Sequence, residues 1–364
     1  MLSAEGCRQR RLRLWERLLP RPERDHLLLS DPIHLTYLAN FHVDPISSGA
    51  EFRGFLQVRE DGHARLIHDN RLAEAARLAQ VEERREVPWY DGQSPGQGPR
   101  QLVLLHEVNP AHGGMRVHDR LGDPYAPTLI RTLAEMRRRK DPDEIDLLRR
   151  CMAVTEAGHA WARDNIQPGM TELDVYRGVQ AACVQAAGRP VVVYGDFAVS
   201  PGPTRTGGPP TLQVLKAGDM FILDFSVVIH DYRSDFTNTL VVGQEPNADQ
   251  KRLYDLCMAA MTAGERELRG GAEGSTVYQA VRGVFEQAGV AEHFPHHAGH
   301  GLGLTHPEAP FLVRHATETL QAGDVVTLEP GLYIPNIGGI RIEHNYLITA
   351  TGYERLSNHA IALR

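Results

Sequence analysis

The pattern of apolar and polar positions predicts a short buried strand over His26 to Ser30. Two further strands are expected over Gly54 to Val58 and His63 to His68, joined by the turn Glu60-Asp61-Gly62. Helical stretches such as Arg71 to Gln80 lie between strands, so the first part reads as α/β. A strong helix start follows at Asp141-Pro142-Asp143-Glu144. Asp141 can cap, Pro142 suits the first helical position, and Glu144 can bond back to the N–H of the cap. Beyond it, Leu147, Leu148, Cys151 and Val154 share one helix face. An N-terminal domain over 1–140 and a second domain over 141–364 are therefore expected.

The second part repeats its own pattern. Cys151-Met152-Ala153 with Ala157-Gly158 recurs as Cys257-Met258-Ala259 with Ala263-Gly264. Leu215 to Asp224 recurs as Leu320 to Glu329. The offsets are 106 residues for the cysteines and 105 for the acids, too constant for chance. Each copy reads helix, helix, strand hairpin. The predicted class is α+β, two halves related by a pseudo-twofold axis around one shared site.

Each predicted hairpin carries two acids. In the first, Phe221 to Ile229 turns at His230-Asp231 and returns from Tyr232. That register sets Thr237 opposite Asp224 and makes Asp235 the diagonal neighbour on the same face. In the second, Val325 to Glu329 turns within Pro335 to Gly339 and returns through Ile340 to Glu343. A turn centred on Ile337 would make Glu343 the diagonal neighbour of Glu329. The flanking Ile222, Leu223, Phe225, Val326 and Leu328 are apolar, which puts the acids in core strands. Four converging buried carboxylates need compensating positive charge, and two divalent cations would supply it.

The bulk properties narrow the class. The 364 residues suffice for two domains, and 42% hydrophobic with 23% charged residues is an ordinary globular mix. A net charge of −7 disfavours a nucleic-acid surface. The run Arg137 to Lys140 reads as a solvated connection. Four scattered cysteines without a CxxC pair argue against disulfides or a thiolate site. No apolar run of about 18 residues marks a membrane span. The charged N-terminus lacks the apolar segment of a secretory signal, so a cytoplasmic location is expected.

One further segment carries chemistry. His296, His297, His300 and His306 fall within 11 positions, and Gly299 and Gly301 flank His300. Such a cluster favours metal binding or proton transfer over a structural histidine. A histidine among carboxylates suits Mn²⁺, Co²⁺, Fe²⁺ or Zn²⁺, and the oxygen-rich set leans to Mn²⁺.

With these residues the chain, from about Asp141 to its end, resembles the pita-bread metallopeptidase family. That family holds Xaa-Pro dipeptidases (prolidases), aminopeptidase P and methionine aminopeptidase. The smaller N-terminal part is similar to that of the two proline-specific branches. The resemblance implies a creatinase-like N-terminal domain before a pita-bread catalytic domain. It also implies two metal ions on Asp224, Asp235, His300, Glu329 and Glu343, the last as a bridge. The expected activity is hydrolysis of small proline-containing peptides, first as a prolidase, by a homodimer. Glu329 is the candidate proton shuttle, and His306 or His296 the candidate oxyanion donor. Arg341 shares a face with Glu343 and is expected to orient it; Arg341 and Arg314 are also candidates for substrate binding.

Two departures stand out. Proline-specific members carry a histidine 17 residues before the first aspartate, where this chain has Gly207. They carry a second one seven residues after the metal histidine, where this chain has Pro307, with His306 one place early. Three alternatives remain open: aminopeptidase P, metal-free creatinase-like chemistry, and a non-enzymatic binding module. The full ligand set argues against the last two.

Overall fold

The computed structural model describes residues 1–19, 25–43, 51–92, 98–108, 116–200 and 206–364. The chain divides into two compact units. One comprises Met1–Arg137 with Asp141–Glu144, the other Arg138–Lys140 with Ile145–Arg364. No helix among the described residues is long and apolar enough to cross a membrane.

The first unit holds α1 (Ala4–Arg17), β1 (His26–Leu29), α2 (Pro32–Ala39), β2 (Phe55–Arg59), β3 (Ala64–Asp69), α3 (Ala73–Leu78), β4 (Glu83–Val87), α4 (Arg100–Val108) and α5 (Ala126–Arg138). Its sheet runs β1-β2-β3-β4, antiparallel except for the parallel β3/β4 pair. The charged look of α1 is misleading. Arg10 and Arg11 are fully buried, because each guanidinium is satisfied inside the unit. Arg10 donates to Asp143 at 2.9 Å and to the Tyr37 carbonyl at 2.9 Å. Arg11 donates to Glu82 at 2.9 Å and to the Gly62 carbonyl at 2.7 Å. The helix start at Asp141 forms as expected, with its N–H donating to Glu144 at 2.9 Å. The Asp141 carboxylate itself is engaged by Arg10 at 3.1 Å.

The second unit holds α6 (Pro142–Asn165, shared with the first at its N-terminus), α7 (Glu172–Ala187), β5 (Val192–Ser200), β6 (Met220–Ile229), β7 (Tyr232–Arg233) and β8 (Phe236–Val241). It continues with α8 (Ala248–Glu265), α9 (Gly274–Gln287), β9 (Gly299–Gly301), β10 (Glu308–Leu312), β11 (Val325–Leu328), β12 (Gly331–Ile334), β13 (Gly338–Arg341), β14 (His344–Ile348) and β15 (Tyr353–Arg355). The first repeat forms a sheet in which β6 pairs with β5, β7 and β8. The second forms β10-β9-β11-β14-β15 and a β12/β13 hairpin.

The duplication is visible atom by atom. Asp219 accepts from Lys216 N at 2.7 Å, and its repeat partner Asp324 accepts from Gln321 N at 2.7 Å. The turns that start α7 and α9 each bridge to the segment before their hairpin, Thr171 to Val214 and Glu273 to Thr319. Beside the hairpins, Gly195 and Gly299 allow close backbone approaches. A Cβ on either would lie 2.1 Å from a carbonyl of the neighbouring strand, at Asp224 and Thr327 respectively, so only glycine permits those approaches. Behind the second sheet, Leu253, Cys257, Val281, Phe285, Val326 and Leu328 form part of one buried core. Each large apolar side chain there contributes about 1.5–3 kcal/mol by leaving water.

The first hairpin has the expected register, with Asp224 opposite Thr237. His230 and Asp231 both have positive φ, the geometry of a two-residue hairpin turn. The second differs by one step. Its pairs Leu328 to His344 and Gly331 to Arg341 centre the turn on Asn336, not Ile337. Asn336 takes the left-handed conformation, with φ 65°. Glu329 and Glu343 therefore stand level with each other, not diagonally. The run Arg137 to Lys140 is also corrected. Lys140 is buried and donates to Glu308 at 2.6 Å, and Arg138 bonds Asp324 at 2.7 Å. Arg137 and Lys140 are buried and Arg138 is half-buried; Arg139 alone of the run is exposed, so most of it is not a solvated connection.

Candidate metal centre and active site

Asp224 sits in the middle of β6, between Asp196 on β5 and Thr237 on β8. Asp235 lies at the junction of β7 and β8, where Ser226 donates to its Oδ1 at 3.2 Å. Glu329 follows β11, and its N–H donates to the Ala298 carbonyl at 2.9 Å. Glu343 precedes β14, and its N–H donates to the Thr237 carbonyl at 3.1 Å, which ties the two hairpins together. His300 comes from β9. Its Nδ1 lies 2.9 Å from the Gly301 carbonyl, which can only accept, so Nδ1 carries a proton there. In the neutral ring that leaves the Nε2 lone pair free, 3.6 Å from both Asp235 and Glu329.

The electrostatics are those of a crowded acidic site. Ligand atoms of Asp224, Asp235 and Glu343 lie within 4.8 Å of one another. Burial, with Asp235, Asp196 and Glu329 adding to it against the pull of Arg341, pushes the Asp224 carboxyl up to about 7. Burial and the three neighbouring acids push Glu343 well above the ordinary range. Glu343 Oε2 accepts from Thr237 Oγ1 at 2.7 Å, while its Oε1 is buried with no hydrogen-bond partner among the described residues. Glu329 behaves oppositely. Burial raises it, but His297, His300 and His296 outweigh that and hold it below its ordinary value.

A cavity of about 470 Å³ opens over these groups. His306 reaches it despite its shifted place in sequence: its Nε2 lies 2.6 Å from Asp235 Oδ2. The loop carrying it is braced by Glu308, which takes Lys140 on one oxygen and Thr305 Oγ1, at 2.7 Å, on the other. His296 also lines the cavity, with Nε2 3.1 Å from the Tyr333 hydroxyl. Burial brings its imidazole down to about 4.

Arg341 lies in the cavity wall but does not serve Glu343. Its Nη2 donates to Asp224 and, at 2.7 Å, to Asp196. Its Nη1 donates to Tyr333 Oη at 2.9 Å and to the Thr206 carbonyl at 3.0 Å. Sharing a strand face with Glu343 was a weaker guide than the cross-sheet neighbour. Arg314 is exposed and is not among the residues lining the cavity.

Asp196 and Tyr333 escaped the sequence reading, and His297 entered it only as a member of the histidine cluster, with no role of its own. Asp196 faces Asp224, but the strand before it is joined by a long connection that sets no register. His297 lies 3.3 Å from Glu329, and only its place beside His296 hinted at it. Tyr333 links Arg341 to His296 from four positions after Glu329.

A duplicated α+β fold whose two hairpins bring carboxylates and histidines into one cavity defines a class of metal-ligating site. The sequence profile described as metallopeptidase family M24 matches residues 146–350, and the chain belongs to that family. Among curated relatives, an uncharacterized peptidase of Staphylococcus aureus (strain bovine RF122 / ET3-1) is 30% identical over 233 residues, 63% of this chain. The match spans 65% of the length of that relative. Among solved structures, an Xaa-Pro dipeptidase from Bacillus anthracis superposes with a TM-score of 0.77 at 23% identity, covering 99% of each chain. An X-Pro aminopeptidase from Thermotoga maritima MSB8 does so with a TM-score of 0.76 at 22% identity, covering 97% of this chain and 98% of its own.

Proposed function

We propose that the chain is a peptidase that uses two divalent cations and cleaves Xaa-Pro bonds, foremost as an Xaa-Pro dipeptidase releasing proline from dipeptides. The metal part is carried by Glu343. A buried carboxylate oxygen with no partner, set among Asp224 and Asp235, is costly unless a cation meets it. Asp224, Asp235, His300, Glu329 and Glu343 would hold the ions, and four carboxylates with one imidazole favour Mn²⁺ over softer ions. Bound divalent ions supply Lewis acidity and make water a nucleophile near neutral pH. The proline part rests on the fold shared with an Xaa-Pro dipeptidase and an X-Pro aminopeptidase.

The residues of the chain supply the rest. Glu329, held ionised by its histidines, can take a proton at its carboxylate and pass it to the leaving nitrogen. His306 Nε2, 2.6 Å from Asp235 Oδ2 at the cavity wall, would be released to donate to the developing oxyanion once that carboxylate is engaged as a metal ligand. His296, joined to Tyr333 and through it to Arg341, can orient the substrate carbonyl.

One observation favours a second reading, aminopeptidase P acting on longer peptides. A dipeptide presents a free carboxylate beside the scissile bond. Among the described lining residues the only arginine or lysine is Arg341; its Nη donors are taken up by Asp224, Asp196, Tyr333 and the Thr206 carbonyl, and its Nε–H is buried away from the cavity's water. The deciding experiment strips the protein with a chelator, restores Mn²⁺, and follows proline release from Xaa-Pro dipeptides beside cleavage of Xaa-Pro-Xaa tripeptides. Metal-dependent dipeptide cleavage, absent in Glu329→Gln and Asp235→Asn, is the expected result. Cleavage of tripeptides alone moves the assignment to aminopeptidase P. Failure to bind metal overturns both.

A further inference from the structure

Gly207 stands where proline-specific relatives carry a histidine, and the structure accounts for the exchange. A Cβ on Gly207 would lie 2.0 Å from Asp196 Oδ2 and 2.6 Å from its Cγ. Any side chain at 207 would therefore collide with the Asp196 carboxylate. The carboxylate is also built into its place. Oδ1 accepts from Gly208 N at 2.8 Å, and Oδ2 accepts from Arg341 Nη2 at 2.7 Å. One place in the wall holds an anionic acceptor because the neighbouring residue has no side chain.

Asp196 differs from the other acids of the cavity in depth. Its side chain is 35% exposed, against 17% for Asp224, 10% for Asp235 and 9% for Glu329. The others form the floor; Asp196 stands nearer the mouth. A carboxylate offers about four acceptor positions, and the two hydrogen bonds named leave others directed at the cavity. Two residues back along β5, on the same strand face, Tyr194 also lines the cavity; its ring is largely exposed and already has the Arg233 guanidinium over it, 5.9 Å from the centroid. An aromatic surface beside a half-exposed carboxylate suits a long cationic side chain, whose stem packs on the ring while its head meets the acid.

We propose that Asp196 and Tyr194 form a specificity pocket for a lysine or arginine side chain on the residue before the scissile bond. The inference rests on the peptidase reading above. It makes Asp196 a substrate-recognition residue and gives Gly207 a reason: glycine there leaves room for the acid.

The test compares Lys-Pro with norleucine-Pro, which match in length but not in charge, on the Mn²⁺-loaded protein. The same pair is carried as Lys-Pro-Ala and norleucine-Pro-Ala. The expected ratio of kcat/KM, lysine over norleucine, is about tenfold or more, the scale of one charge-assisted hydrogen bond. Asp196→Asn should bring the ratio to near one. Gly207→Ala, which displaces the carboxylate without removing it, should lower the ratio as well. A wild-type ratio near one overturns the proposal. So does an Asp196→Asn protein that loses both substrates equally, since Asp196 would then act only by positioning Arg341. Calorimetric binding of the same peptides separates the two readings. Preferential binding of the lysine peptides that is lost in Asp196→Asn, without turnover of any, would uphold the pocket and overturn the peptidase assignment.

Discussion

The two hairpins share a plan and differ in what stands beside their acids. In the first, Asp224 has an arginine on its carboxylate and Asp235 has Ser226 and His306. In the second, Glu329 is flanked by His297 and His300, while Glu343 keeps one buried oxygen with no partner. One repeat compensates its charge within the protein; the other leaves part of it for something that binds. Duplication puts Asp224 and Glu329 in matching places, while the second acid of each hairpin, diagonal in one and level in the other, and the divergent neighbours make the site asymmetric.

The comparison breaks most sharply at Arg341. Arg341→Gln removes the guanidinium that meets the largely buried Asp224, while the half-exposed Asp196 stays beside it. Stranding a buried charge in this way costs about 3–5 kcal/mol. Chemical denaturation in the presence of a chelator measures it, and the loss should shrink when Mn²⁺ is added. A loss below about 1 kcal/mol in the metal-free protein would show that the first hairpin does not depend on its arginine.

The shared plan of the hairpins was legible in the sequence and the contrast in their neighbours was not, for physical reasons that differ by residue. The register of the first hairpin could be read because a two-residue turn at His230-Asp231 leaves one pairing. The second could be read only to within one step. Several positions between Pro335 and Gly339 tolerate a turn, and the left-handed Asn336 decided among them. The ligand types and their spacing were plain. The partners were not. Asp196 reaches Asp224 across a strand pair that no short turn defines, and Arg341 followed that cross-strand acid over its own face neighbour. The burial of Arg10, Arg11 and Lys140 was invisible too, since a cation looks solvated until its partners are placed.

The second hairpin yields the next prediction. Glu343→Gln replaces a raised, half-satisfied buried acid with a neutral amide. The amide keeps an acceptor for Thr237 and turns an N–H₂ donor toward the neighbouring acids, so the metal-free variant should be more stable than the wild type by about 1–3 kcal/mol. Its stabilisation by Mn²⁺ should largely vanish. Thermal melts with and without metal test both halves. A metal-free variant less stable than the wild type would mean that the Glu343 charge is met within the protein.

Where the repeats meet, a group of buried histidines sets a pH limit. His159 and His359 stack on Phe236, and His344 lies 4.7 Å from His359, ring to ring. Burial, aided by mutual repulsion with His359, holds His159 well below its ordinary value and His344 at about 2. Burial brings His359 to about 4, against a bond to the Thr237 carbonyl that favours the proton. In the unfolded chain these groups titrate near 6.5. Between that value and about 4 the unfolded state binds the extra protons, so stability is full above about pH 6.5 and falls as pH drops. The slope is about 1.4 kcal/mol per pH unit for each titrating group. Replacing His159 with Phe should flatten the fall of the melting temperature between pH 6.5 and 4.5; an unchanged slope would clear this cluster.

The smallest effect lies in the turns. His230 and Asp231 have φ of 52° and 65°, both in the left-handed region. Left-handed backbone costs a non-glycine residue about 1 kcal/mol or more, though less for aspartate. Glycine removes that cost but adds about 0.5–1 kcal/mol of unfolded-state entropy. Asp231→Gly should therefore stabilise by no more than about 0.5 kcal/mol, as the second position of such a turn favours glycine. Asn336→Gly should gain less, because asparagine already tolerates that conformation. If Asp231→Gly instead destabilises the protein by more than about 1 kcal/mol, the aspartate side chain and not the backbone twist holds the first register. The difference between the hairpins would then lie in their turns as well as in the neighbours of their acids.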